Sequence, residues 1–252
     1  MDLTVKDRVA LVTGSTTGLG KAMALALARS GARVAFNYFR NAGRAERCKQ
    51  ELKKLDSAWT MAHGDVSTKE GVDKVCTAVE KELGPVEILI VNATPDQPQM
   101  PIESYTWQHF QTMIDFFIKS PYLLVQRTVG SMKSRRFGRI LNIGSEVFNR
   151  GVPNFTAYVS AKGGQLGFTR SLANELAPFS ITVNMISPGW IPVERHEKDP
   201  QPMKDGYKAL IPMGRWGVPD DVTGAAVFLC SNESSFITGQ SFCINGGMTV
   251  WT

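Results

Sequence analysis

Val9-Ala10-Leu11-Val12-Thr13-Gly14-Ser15-Thr16-Thr17-Gly18-Leu19-Gly20 decides the fold. Four apolar residues closed by a glycine-rich turn read as a short buried strand. Past the turn, Leu19, Met23 and Leu27 recur every four residues and mark the buried stripe of a helix. Glycines let backbone N–H groups come close to an anion, and the partial positive charge of a helix N-terminus favours one. Gly14, Gly18 and Gly20 are therefore read as a pyrophosphate-binding surface. The same alternation runs along the chain. Strands are predicted at 34–38, 58–62, 88–91, 139–143, 181–186 and 241–244. Helical periodicity fills 42–55, the run through Val72, Val75, Cys76, Val79 and Leu83, then 107–133, the stretch around Tyr158, and 220–229. This is the pattern of a doubly wound α/β fold, a parallel sheet covered on both faces in three layers. No repeat or linker interrupts it, so residues 1–252 read as a single domain. Residues 187–218 break the rhythm: Pro188, Gly189, Pro192, Pro200, Pro202 and Pro212 exclude a continuous helix, and so long a segment reads as a substrate lid.

Composition narrows the function classes. The 252 residues are 43% apolar and 20% charged, as in an ordinary globular chain, with a net charge of +5 scattered through the helices. That balance suits an anionic ligand and gives no reason to expect nucleic acid. Cys48, Cys76, Cys230 and Cys243 form no CxxC pair, and His63, His109 and His196 are isolated, so no metal site is expected. Free thiols, a polar N-terminus and the lack of any apolar run near the ~20 residues of a membrane span predict a cytoplasmic protein.

Ser145 follows an apolar strand, and Tyr158 and Lys162 stand four residues apart in a helical stretch, Ala157-Tyr158-Val159-Ser160-Ala161-Lys162. Residues at i and i+4 share a helix face, so the ammonium is expected near the phenol, favouring its ionised form. A phenol titrating near ~10 needs such help to exchange protons around neutrality.

Taken together these motifs resemble the short-chain dehydrogenase/reductases over nearly the whole chain. Thr13 to Gly20 is similar to that family's TGxxxGxG turn, Asp65-Val66 to its adenine-contacting pair, and Asn92-Ala93 to part of its NNAG strand end. Ser145, Tyr158 and Lys162 match its catalytic residues; Asn184, Pro188 and Gly189 its nicotinamide-side element; Thr238-Gly239-Gln240 and Gly246-Gly247 its C-terminal signature. The resemblance implies a Rossmann-type fold binding NAD(P) through Gly14, Ser15, Thr17, Gly18, Leu19, Gly20, Tyr38, Arg40, Asp65, Val66, Asn92, Ala93, Tyr158, Lys162, Pro188, Gly189 and Ile191. It also implies that Tyr158 exchanges a proton with a carbonyl or alcohol, that Ser145 holds its oxygen, and that Lys162 tunes the phenol and contacts the nicotinamide ribose. Its nearest branch is that of 3-oxoacyl carrier-protein reductases and sugar or polyol dehydrogenases, through Ile211-Pro212-Met213-Gly214-Arg215-Trp216. The Tyr-x3-Lys interval argues against the enoyl-reductase branch.

The chain departs from the family pattern at several positions. Phe117 stands where a tetrad asparagine is expected to hold a proton-relaying water, and a phenyl ring cannot do so. Val91 and Thr94 replace the first asparagine and the glycine of NNAG, and Val193 replaces a threonine beside the nicotinamide. At the end of the second strand Tyr38 takes the place of the acid that binds a ribose 2′-hydroxyl, with Arg40 close by to pair with a 2′-phosphate, so NADP(H) is favoured over NAD(H). Thr16, where NADP members carry a basic residue, argues the other way. By family position the substrate meets Thr94, Glu146, Phe148, Phe155 and Trp190, with Asp96, Asn154, Arg195 and His196 nearby. This mixture suits a small oxygenated keto or hydroxy compound. Arg150 or Arg195 could take an anionic group, although Glu194, Arg195 and Glu197 are read first as solvated lid charges. Reduction of a 3-oxoacyl thioester, or cofactor binding without catalysis, remain alternatives. A homotetramer through the helices of Trp107 and Tyr158 is expected by the resemblance.

Overall fold

All but the last strand of the computed structural model, which describes Leu3 and residues 5–249, divide their side chains between two apolar layers. The strands are β1 (Val9–Val12), β2 (Arg33–Tyr38), β3 (Trp59–His63), β4 (Ile88–Val91), β5 (Gly138–Ile143), β6 (Ile181–Pro188) and β7 (Ser241–Ile244). Ala10, Val12, Ile88, Ile90, Leu141 and Ile143 enter one core; Val9, Leu11, Leu89, Val91 and Ile140 enter the other. Strands buried on both faces need apolar residues at every position, hence the continuous runs in the sequence. All seven pair in parallel in the order β3-β2-β1-β4-β5-β6-β7.

The first core is closed by α1 (Gly18–Arg29), through Met23, Ala24 and Leu27, and by α2 (Ala42–Leu52), through Cys48 and Leu52. The second is closed by α3 (Lys69–Glu82), with Val72, Val75 and Val79. After α4 (Trp107–Ile114) comes a π turn over Asp115–Lys119 and then α5 (Ser120–Arg135). The predicted helix at 107–133 is thus regular only in two pieces. Short α6 (Val147–Arg150) precedes the 21-residue α7 (Thr156–Leu176).

Within 187–218 the chain forms a 3-10 turn at Glu194–His196 and then α8 (Gln201–Ala209), so the segment expected to be irregular holds a nine-residue helix. That helix begins directly after Pro200 and takes Pro202 in its first turn, where a missing N–H costs nothing. α9 (Pro219–Cys230) returns to the first core through Val222, Ala226, Val227 and Leu229. Elsewhere the predicted boundaries shift by a residue or two, the largest change being α2, which stops at Leu52 instead of 55 in a turn through Leu55 N–H and Leu52 O. Among the described residues no helix is long and apolar enough to cross a membrane.

Candidate active site

Strand order reverses between β1 and β4, and the chains leaving those two strands part there, opening a crevice at their carboxyl ends. Gly14 follows β1 and packs against the segment after β4: a Cβ at Gly14 would stand 2.9 Å from Ala93 Cα. Gly14 and Gly18 have φ of 61° and 55°, a left-handed backbone that favours glycine. Asn92 clamps the turn, its Nδ2 donating to Thr13 O at 2.9 Å and Gly14 O at 3.1 Å, while Thr13 Oγ1 accepts from the N–H groups of Asn92 and Ala93. Asn37 of β2 adds a second clamp. Its Oδ1 accepts from Gly14 N–H at 3.1 Å and its Nδ2 donates to Ala62 O and Gly64 O. A Cβ at Gly20 would lie 2.4 Å from Asn92 Nδ2, so the helix start fits only because that side chain is absent. This glycine cradle at the N-terminus of α1 fits the diphosphate of a dinucleotide. At the end of β2 Tyr38 lies beside His63, ring centroids 5.0 Å apart, and Arg40 is exposed, which fits a ribose-side phosphate.

Some expected contacts do not hold. Ser15 is fully buried, its hydroxyl donating to Val12 O at 2.7 Å and its N–H to Asn37 O, so it braces the turn and presents no donor to a ligand. Leu19 packs on the first core and Val66 lies in the second, leaving only their backbones for binding. Asp65 uses Oδ1 on the N–H and hydroxyl of Ser67. Pro188 and Gly189 end β6, where Pro188 O accepts from Glu146 N–H and Gly189 N–H donates to Ile244 O; Ile191 is buried in the first core.

Beyond β5, Ser145 lies near the Tyr158 phenol and favours its ionised form, and its Oγ accepts from Val147 N–H at 3.4 Å. Tyr158 is 9% exposed and walled by Phe117, edge-on at 5.3 Å between ring centroids, and Phe155, at 5.0 Å. One turn on, Lys162 is 4% exposed and donates from Nζ to Ile143 O at 2.6 Å and to Gln165 Oε1 at 3.0 Å. Its Nζ lies 3.7 Å from the centroid of the Phe117 ring and 5.7 Å from that of Tyr158. The expected depression of the phenol pKa is corrected here. Burial raises Tyr158, and nearby Ser145 and the charge of Arg195 only partly oppose it. Burial, then Arg195, hold Lys162 well below the usual lysine range. Removing both groups from water is the largest cause of each shift.

On the lid side the residues expected to meet substrate are partly committed to one another. Glu146 is 1% exposed; its Oε1 accepts from Tyr207 OH at 2.7 Å and Arg150 Nη1 at 3.0 Å, and its Oε2 is buried without a partner. Tyr207 OH also accepts from Trp190 N–H at 2.6 Å. The Trp190 ring stands edge-on to Tyr207, Trp216 and His196, and Tyr207 stacks on Trp216. Burial first, then the charge of Arg195, push His196 down to about 4, so the neutral ring accepts the Val193 N–H at 3.1 Å through Nδ1. Phe148 lies over Gly163 of α7, and exposed Thr94 bonds Pro95 O and Gln97. Asn154 O accepts from Met100 N–H and Tyr105 OH, fastening the loop that carries Asp96.

Glu194 is exposed, as expected, but its Oε2 also accepts from Gly18 N–H at 3.2 Å, a contact not foreseen from the sequence. Nor was a role foreseen for Gln165, although it shares a helix face with Lys162 three residues earlier, the one local signal available. Tyr207, 61 residues from Glu146, had none.

Residues 14–249 match the family described as enoyl-(acyl carrier protein) reductase. Curated relatives include the 3-oxoacyl-(acyl-carrier-protein) reductase FabG of Aquifex aeolicus, 33% identical over 98% of this chain and 100% of the relative. The acetoacetyl-CoA reductase of Shinella zoogloeoides is 36% identical over 96% and 98%. Among solved structures, a candidate gluconate dehydrogenase from Agrobacterium tumefaciens superposes with a TM-score of 0.93 at 30% identity, covering 100% of both chains.

Proposed function

Because the chain belongs to the short-chain dehydrogenase/reductases, NAD(P)-dependent oxidoreductases, we propose that it transfers hydride between NADP(H) and the carbonyl or secondary alcohol of a small oxygenated substrate. The observation that carries the reading is a buried Tyr158 with Ser145 near its phenol and the Lys162 Nζ 5.7 Å from its ring centroid. NADP(H), when bound, supplies or accepts the hydride. Ser145 donates to the substrate oxygen and holds it against the phenol, and Tyr158 passes its proton to that oxygen as negative charge develops there. Burial keeps the phenol protonated at neutral pH, the form that carbonyl reduction requires. For alcohol oxidation the phenolate must form, and nearby Ser145 and the Arg195 charge favour it. Phe117 and Phe155 keep water from the ring, which strengthens both effects. Lys162, held by Ile143 O and Gln165, keeps a third N–H that this reading gives to the nicotinamide ribose. The exposed Arg40 and the carboxylate-free run Asn37-Tyr38-Phe39-Arg40 support NADP(H). Trp107, 70% exposed on α4, supports a homotetramer through that face, tested by light scattering.

Glu146, Arg150 and Tyr207 give the lid side a polar wall, which supports a small oxygenated substrate. A second reading, reduction of a 3-oxoacyl thioester, is supported by the names of the FabG and acetoacetyl-CoA reductase relatives. The test follows nicotinamide absorbance with each cofactor against small diketones, keto sugars and acetoacetyl-CoA, with Tyr158→Phe as control. Higher kcat/KM for the keto compounds supports the first reading, and higher kcat/KM for the thioester the second. Dinucleotide binding with no turnover on any substrate leaves a non-catalytic cofactor-binding protein.

A further inference from the structure

Three helices supply their own N-terminal caps: Asn41, Thr68 and Thr106 each accept from a backbone N–H in the first turn of α2, α3 and α4. α1 does not. Thr17 at its N-terminal boundary makes no capping bond to the helix, and its first turn holds no acidic residue. A carboxylate 176 residues away fills the gap, for Glu194 Oε2 accepts from Gly18 N–H at 3.2 Å. Val193 seats beside it, its Cγ2 3.3 Å from where a Gly18 Cβ would stand. Lys21 adds a favourable charge. Burial would raise the Glu194 carboxyl, but the polar groups around it, the Gly18 N–H among them, with the charge of Lys21, outweigh it and hold the group below its usual value. Glu194 therefore carries its charge at neutral pH.

We propose that Glu194 is a built-in competitor for the cofactor diphosphate: the lid lays its own carboxylate on the Gly18 N–H of the turn that the dinucleotide must take. The inference rests on the reading of the glycine turn as the diphosphate site. Two anions cannot share one helix N-terminus without strong repulsion, so occupation by the dinucleotide expels the Glu194–His196 turn. The turn moves as a unit, because the His196 ring holds Val193 N–H and packs edge-on against Trp190. Its departure takes Arg195 from the neighbourhood of Tyr158 and Lys162, both of which feel its charge. Empty, the protein keeps its lid shut over its own binding turn; loaded, it frees the substrate side.

Glu194 lies on the lid surface and takes no part in the chemistry proposed above, so Glu194→Gln keeps the side chain's shape and removes the charge. NADPH and NADH are titrated into the wild type and Glu194→Gln at fixed ionic strength, with Kd read from nicotinamide fluorescence, and thermal melts are recorded with and without saturating NADPH. The expected result is a Kd about fivefold lower in Glu194→Gln, the scale of one carboxylate at a helix end. The empty variant should melt below the empty wild type, since α1 loses its cap, yet gain more on saturation. A residue that merely braced the lid would shift the melt and leave Kd alone. Wild type that binds, with a variant that binds no tighter, overturns the competitor while leaving the cofactor site standing. Failure of both proteins to bind either dinucleotide overturns the diphosphate reading and this inference with it.

Discussion

The ammonium of Lys162 lies 3.7 Å from the centroid of the Phe117 ring. Where the family pattern calls for a water-holding asparagine, the chain puts a π-face, and the cation meets the ring's negative centre instead of a hydrogen-bonded solvent chain. Ring and carbonyl contacts together offset part of the cost of burying that charge, though burial still drives the pKa down. A cycle of Phe117→Leu and Lys162→Met, followed by urea unfolding at neutral pH, should give a coupling of about 1–2 kcal/mol. Coupling near zero would show that the ring acts only as filler. Proton linkage gives an independent check. A lysine with a depressed folded pKa binds fewer protons when folded, so wild-type stability should rise with pH from that value towards ~10.4, and Lys162→Met should lose this slope.

The two directions of the reaction should respond oppositely to pH. Burial raises the Tyr158 phenol, so reduction, which uses the protonated form, should stay flat through neutrality and fall only on the alkaline side of ~10. Oxidation needs the phenolate, and its kcat/KM should climb with pH over the same range. Tyr158→Phe should cost about 10²–10⁴ in kcat in both directions while leaving dinucleotide Kd nearly unchanged. A reduction rate that falls between pH 6 and 8 in the wild type would show that another group controls the proton.

Much of this site was legible in one dimension. A strand, a glycine turn and a helical stripe define the crevice through local spacing alone, and the interval from Tyr158 to Lys162 places both groups on one helix face. Burial was not legible. The electrostatic argument from spacing treats phenol and amine as neighbours in water, and desolvation from two layers of packing reverses its sign. Phe117 read as the loss of a hydrogen bonder, since its use as a ring-face partner depends on the π turn at Asp115–Lys119. Glu194 and Tyr207 were beyond reach for another reason: their partners, Gly18 and Glu146, lie 176 and 61 residues away and meet them only after the lid folds back.

Tyr207 joins the lid to the residue that follows Ser145. Its hydroxyl donates to Glu146 Oε1 and accepts from Trp190 N–H, a bridge between α8, α6 and the segment after β6. Tyr207→Phe keeps the stacking on Trp216 but strips a hydrogen bond from a buried carboxylate whose other oxygen already lacks a partner. The loss should cost about 1.5–3 kcal/mol in urea unfolding. Substrate KM should rise more than kcat falls, because the lid wall shifts while Ser145 and Tyr158 remain in place. An equal fall of kcat with KM unchanged would move Tyr207 from the wall into the chemistry.

Cofactor choice turns on the end of β2. Arg40 is exposed and makes no salt bridge among the described residues, its guanidinium lying 5.8 Å from the centroid of the Phe39 ring. A free planar cation beside a strand end without a carboxylate suits a 2′-phosphate and does nothing for a 2′-hydroxyl. Arg40→Ala should therefore weaken NADPH binding by roughly tenfold or more, the worth of a charge-assisted hydrogen bond, and leave NADH within about twofold. Tyr38→Asp should act from the other side, repelling the phosphate and offering the ribose hydroxyl an acceptor, so that the double variant prefers NADH. Parallel titrations of both dinucleotides check this, and an Arg40→Ala variant that loses both equally would place the guanidinium on a group common to the two cofactors, such as the adenine or the diphosphate.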